Sequence, residues 1–126
     1  MARIITRTTS EIKSLVSALR FLKENRIGKY FQDPKITMDT AIREIDYSIS
    51  TGSLGRNKEL VELRGLCATL LRREPMLLRD LSTLPSYPQT ARIVGYRGHS
   101  SVMFAVKRYR PVLEEELRRN VPPKPQ

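Results

Sequence analysis

Cys67 and His99 are the chain's whole supply of thiol and imidazole. A cysteine nucleophile needs a base beside it, and a zinc site needs four N, S or O ligands. Cys67 falls on an apolar stripe at helical spacing, the setting of a small buried side chain, and His99 falls in the turn-like run Arg97-Gly98-His99-Ser100. Glu59, Glu62 and the run Glu114 to Glu116 sit among arginines and lysines at helical spacing, which suits surface ion pairs better than a paired acid and base. No glycine-rich phosphate loop with a trailing Lys-Ser or Lys-Thr occurs. The residues therefore point away from an enzyme, from any metal or cofactor, and from a small-molecule substrate.

Positive charge is what the chain has in quantity. Lysine and arginine number 23 against 13 acidic residues, a formal net charge of +10, which is the electrostatic footprint of a nucleic-acid binder. Arginine outnumbers lysine, and the guanidinium fork matches phosphate oxygens. The candidate RNA-binding residues are Arg43, Arg56, Lys58, Arg64, Arg72 and Arg73, which fall beside or opposite apolar stripes, with Lys13, Arg20 and Lys23 along the polar side of an earlier one. Cations spread along helices suit phosphates and sugars more than base edges, and duplex RNA is met in that way across its shallow minor groove. Aromatic content is only 6%, with Tyr30, Phe31 and Tyr47 in or beside helical stripes, so no stacking platform for single strands stands out.

These cations need helices to hold them. Thr8 and Glu11 have capping-box spacing ahead of Ile12, Leu15, Val16, Leu19 and Leu22, a stripe that Gly28 would end. Asp33-Pro34 reads as cap and first turn of a second helix over residues 34–50, whose apolar positions are Met38, Ile42, Ile45 and Ile49. A third helix over residues 56–73 carries Leu60, Leu63, Cys67, Leu70 and Leu71, and Pro75 starts a short fourth through Leu81. Gly65 inside the third helix costs about 1 kcal/mol against alanine and signals a close neighbour, with a helix the safer choice over nucleic acid. Ile42, Ile45, Ile49, Leu60, Leu63, Cys67 and Leu70 are the expected core and dimer seam. Gly52-Ser53-Leu54-Gly55 has the bare pattern of the strand-clamping loop of KH domains without that loop's apolar flanks, and reads as a turn between helices.

Beyond Pro85 and Pro88 the reading divides. Residues 91–96 and 101–106 are rich in β-branched and aromatic side chains and suggest a small β-hairpin near residues 91–107. Val102, Ala105, Val106 and Tyr109 also recur at helical spacing, so a helix is the alternative. Pro111 would open a last helix in which three glutamates precede Arg118 and Arg119. The expected class is mainly α, an antiparallel helical hairpin or bundle that dimerises. Residues 1–83 form its helical dimerisation and RNA-binding region, residues 84–119 the hairpin and short helix, and residues 120–126 a disordered tail. The lone cysteine, the lack of a membrane-length apolar run and the start Met1-Ala2-Arg3-Ile4-Ile5 suggest a cytoplasmic protein without a membrane partner.

Three stretches, in order, resemble the small double-stranded-RNA-binding silencing suppressors of insect nodaviruses. Phe31-Gln32-Asp33-Pro34 is similar to that family's aromatic-Gln-Asp-x-Pro joint between its first two helices. Ala68-Thr69-Leu70-Leu71-Arg72-Arg73-Glu74-Pro75, with the apolar short helix after it, is similar to the family's Leu-Leu-x-Lys-Pro end of the long helix, and Pro111 to Arg119 to a Pro-x-Leu-Glu-Glu-x-Leu-Arg segment. The resemblance implies a helical homodimer that lies along duplex RNA, ignores sequence and shields the duplex from host silencing. It places Arg56 or Lys58, Arg64 and Arg73 near the family's basic positions. The chain departs from the family in a longer interval before Pro75 and in Gly52 and Gly55. A helical protein-protein adaptor and a nucleocapsid-like RNA-packaging protein are the alternatives.

Overall fold

Thr8 starts the first helix by accepting from the Glu11 amide while the Glu11 carboxylate accepts from the Thr8 amide, so two N–H groups of the opening turn are satisfied at once. In the computed structural model, which describes residues 5–53, 55, 57–74, 77–78 and 85–120, this helix is α1, Thr9–Glu24. It buries Leu15, Ala18, Leu19 and Leu22, and leaves Ile12 46% exposed, so the buried stripe runs through Ala18 instead of Ile12. The chain leaves it through Arg26, whose φ of 52° is left-handed, ahead of the expected Gly28.

A 3-10 turn, Tyr30–Gln32, packs the buried Tyr30 and Phe31 rings edge to face with centroids 5.2 Å apart. Asp33-Pro34 does not open the second helix. The Asp33 carboxylate accepts from the Lys35 amide at 2.9 Å, a local turn, and the cap passes to Thr37, which accepts from the Thr40 amide. Helix α2 is Met38–Thr51, ended by Gly52.

Asn57 caps α3, Lys58–Arg73, by accepting from the Leu60 amide. Every residue of α3 from Leu63 to Leu71 is buried, the mark of a helix enclosed by neighbours rather than laid on a surface. The other helices and the 3-10 turn all pack on it. Each of its fully buried leucines, Leu60, Leu63, Leu66, Leu70 and Leu71, contributes roughly 1.5–3 kcal/mol. Ile45, Leu60, Leu63, Cys67 and Leu70, expected to glue two copies together, are buried in the core of a single chain, with Ile42 and Ile49 partly buried against it. Their partners come from the same polypeptide.

The expected hairpin near residues 91–107 is not formed, and no strand occurs among the described residues. Ser86 and Gln89 make a second reciprocal cap for α4, Tyr87–Val94, which ends at Gly95. Gly95 has φ of 82°, and a Cβ there would lie 2.4 Å from Ile49 Cδ1, so both conformation and space require glycine. Helix α5, His99–Asn120, follows. A strand would set Val102, Phe104 and Val106 on one face, yet Val102 and Val106 are buried while Phe104 is 75% exposed. The helical set wins: Val102, Ala105, Val106, Tyr109 and Leu113 are the buried stripe. The contact of α5 with α3 is the most extensive between any two elements, and at its centre a Cβ on Gly65 would meet the Tyr109 ring at 2.1 Å. The close neighbour that Gly65 signalled is thus a helix of the same chain.

Pro111 lies inside α5 instead of opening a helix. It sits on the exposed side, so the Lys107 carbonyl that loses its N–H partner is on the wet face. One core runs through α1 to α5, so residues 84–119 are not an annex to residues 1–83. The expected Pro75-to-Leu81 helix lies outside the described residues apart from Leu77 and the buried Leu78, as does the tail after Asn120. No helix among the described residues is long and apolar enough to cross a membrane.

Candidate nucleic-acid interface

Three of the expected RNA contacts are committed elsewhere. Arg64 is 6% exposed; its Nε donates to the Val94 carbonyl at 2.9 Å, one terminal nitrogen donates to the Gly95 carbonyl at 2.8 Å, and the guanidinium lies 4.3 Å from the Tyr96 ring centre. It caps the C-terminal end of α4, where helix carbonyls lack N–H partners and the dipole is negative. Arg64 is therefore corrected from an RNA contact to a core residue. Arg72 is half-buried, donates to the Pro85 carbonyl and stacks 3.8 Å from the Tyr87 ring centre, so it fastens the end of α3 to the start of α4. Lys23 donates to the Ile36 carbonyl at 2.7 Å and to the Pro34 carbonyl at 3.3 Å, holding the segment between the 3-10 turn and α2.

Lys13, Arg20, Arg43, Lys58 and Arg73 do face outward. Arg56 lies outside the described residues. Lys58 and Arg73 stand at opposite ends of α3, about 22 Å apart at 1.5 Å per residue, and the helix between them is buried from Leu63 to Leu71. No basic ribbon runs along α3. Arg43 lines an open cleft of about 500 Å³ with Tyr47 and Asn57, and Lys58 follows Asn57 directly, so the α2–α3 joint does gather two of the expected cations. Tyr47 is 68% exposed there, while Glu44, at the same cleft, accepts from the Tyr30 hydroxyl at 2.8 Å.

The sequence reading missed a second basic region. Between Asp80 and Glu114 the chain has no acidic residue but carries Arg92, Arg97, Lys107, Arg108 and Arg110. Arg92 pairs with Glu11 at 3.2 Å and Arg110 with Glu114 at 2.9 Å. Arg97, Lys107 and Arg108 are exposed, and no carboxylate pairs with them among the described residues. Phe104 and Met103 lie exposed on the same helix as the last two. The signal was present in the spacing of Val102, Ala105, Val106 and Tyr109, which turns Phe104 and Lys107 outward once α5 is read as a helix.

Cys67 is fully buried, and burial pushes its thiol up to about 12, so it stays protonated and inert at neutral pH. His99 is exposed at the start of α5. Among the described residues no cluster of three His, Cys, Asp or Glu could hold a metal ion. Arg7, unremarked in the sequence, grips both Asp46 oxygens at 2.9 Å and donates to the Ile93 carbonyl at 2.7 Å, tying the segment before α1 to α2 and α4.

Fold and surface together define a mainly helical bundle with exposed cations distributed over several of its helices. Compared with protein-family models, with curated proteins and with solved structures, the chain finds no match.

Proposed function

We propose that this chain binds double-stranded RNA without regard to sequence, and that it serves a virus by covering duplex RNA against host silencing. The observation that carries the reading is the distribution of exposed cations that have no carboxylate partner among the described residues: Lys13 on α1, Arg43 on α2, Lys58 and Arg73 on α3, and Lys107 and Arg108 on α5. Charge spread over separate helices meets phosphates along a backbone; it does not build one recognition element for base edges. The three stretches similar to the nodaviral suppressors supply the duplex-RNA and silencing parts of the proposal. A homodimer is not required by it, because the apolar stripes are occupied within one chain.

The test is titration of a blunt RNA duplex, the matching DNA duplex and a single RNA strand over a salt series, read by fluorescence anisotropy. Duplex RNA binds tightest, and the logarithm of its affinity falls linearly with that of salt, by about 0.9 for each phosphate neutralised. Lys107→Gln and Arg108→Gln each lower that slope by about 1 without changing sequence preference. Equal binding of duplex and single strand, or no binding at physiological salt, overturns the proposal. The silencing role is read separately, as protection of a long duplex from cleavage by a Dicer-type ribonuclease.

A further inference from the structure

We infer that the outward ridge of α5 around Phe104 is a stacking site for an unpaired nucleotide, so that the chain holds the junction between an RNA duplex and a single-stranded extension. The inference rests on the duplex-RNA reading above and adds to it a contact with a base.

The buried stripe of α5 fixes which way the helix faces. With Val102, Val106, Tyr109 and Leu113 inward, helical geometry sets Ser100, Phe104, Lys107 and Pro111 in line on the opposite side, with Met103 and Arg108 on its flanks. Phe104 is 75% exposed and Met103 53% exposed, the only large apolar side chains on this ridge. Lys107 and Arg108 stand three and four positions beyond Phe104, which is one turn further along the same surface. Neither has a carboxylate partner among the described residues, whereas Arg110 is drawn to Glu114.

A nucleotide presents a flat aromatic face and an anionic phosphate about one residue away. A bare phenyl ring with two cations a turn beyond it answers both, the ring taking the base and the cations the phosphates on either side. From Arg97 to Leu113 there is no Asn, Gln, Asp or Glu, the side chains that pair with adenine and cytosine edges. The contact that the Phe104 ring offers is stacking, which every base accepts, so the ring adds no sequence preference.

The other occupants fit less well. A helix lying on an anionic membrane would bring its whole outward line to the surface, including Glu114 and Glu115, and it would offer only two apolar side chains for insertion. A nucleotide covers little more than one turn and ends before those glutamates. A second copy meeting this ridge about a two-fold axis at Phe104 would set Lys107 and Arg108 opposite Ser101 and Ser100, which offer them no counter-charge.

The experiment uses an RNA duplex with a 3′ extension carrying 2-aminopurine as its first unpaired base, beside a blunt duplex of the same pairing. Full-length protein binds the extended duplex more tightly than the blunt one and changes the 2-aminopurine fluorescence. Phe104→Ala weakens binding to the extended duplex by at least about fivefold, abolishes the fluorescence change and leaves blunt-duplex affinity as it was. Phe104→Tyr keeps both. Phe104 is exposed, so both variants melt like the parent by circular dichroism. A fluorescence change that survives in Phe104→Ala, or none in the parent while the blunt duplex still binds, overturns this inference alone. Failure of the parent to bind any duplex overturns the reading beneath it. Phe104-dependent binding to phosphatidylserine vesicles without binding to RNA overturns both and makes the ridge a membrane contact.

Discussion

Arg64 donates to the carbonyls of Val94 and Gly95, so one guanidinium closes the C-terminal end of α4 from inside the protein. Truncation leaves two buried acceptors without those donors, at roughly 1–3 kcal/mol each, and removes the stack on Tyr96. Arg64→Ala is expected to lower stability by about 3 kcal/mol in thermal or urea melts. Arg64→Lys recovers only part of this, because an ammonium does not bridge two carbonyls and stack as a planar fork does. Arg43→Gln, on the surface, leaves the melt within about 0.5 kcal/mol of the parent. If Arg64→Ala melts like the parent but loses RNA, Arg64 is a surface contact after all. The sequence could not separate these arginines. Leu60, Leu63, Cys67, Leu70 and Leu71 mark one apolar face of α3 and put Arg64 on its edge, and only the packing of α4 over that edge makes it interior.

At the scale of elements, α1 and α3 were legible because local chemistry announces them, whereas α2 was legible as a helix but not at its start, where Thr37 caps it in place of Asp33. Thr8 and Glu11 form the cap that their spacing suggests, and the leucine stripe of α3 keeps one period to its end. Helix α5 was obscured by two features, the β-branched and aromatic run from Val102 to Val106 and the proline at Pro111. Tertiary packing overrode both, since α5 buries Val102, Ala105, Val106, Tyr109 and Leu113 beside α3. The proline still costs the helix a hydrogen bond. Pro111→Ala is therefore expected to stabilise the protein by about 2 kcal/mol, the roughly 3 kcal/mol helix penalty less the entropy that proline removes from the unfolded chain. A higher melting temperature with unchanged helicity supports this; a lower one means that α5 needs the proline's local geometry.

The whole molecule is held by one core, and that core contains groups that resist ionisation. Burial pushes the Cys67 thiol up to about 12 from 9.0, and, chiefly by burial, the Tyr96 hydroxyl up to about 12 from 10.0. Tyr30 is also raised, by burial first and then by its hydrogen bond to Glu44. From about pH 9 upward the unfolded chain gives up these protons while the folded chain keeps them, so stability falls as pH rises toward about 12. Melting temperatures in a buffer series should decline across that interval, less steeply in Tyr96→Phe; a flat profile refutes the contribution. The stripes expected to serve as core and dimer seam lie in the core, and the stripe of α3 looked unpartnered only while the segment that packs on it, α5, was taken for a hairpin. The enclosure of α3 also sets the order of events at birth. Gly65 waits for a ring that is translated long after it, so in a growing chain the side of α3 that receives α5 stays uncovered until Tyr109 has left the ribosome tunnel. A chain truncated before Tyr109 lacks the most extensive helix contact of the fold and is expected to be less stable than the parent, as protease sensitivity would read.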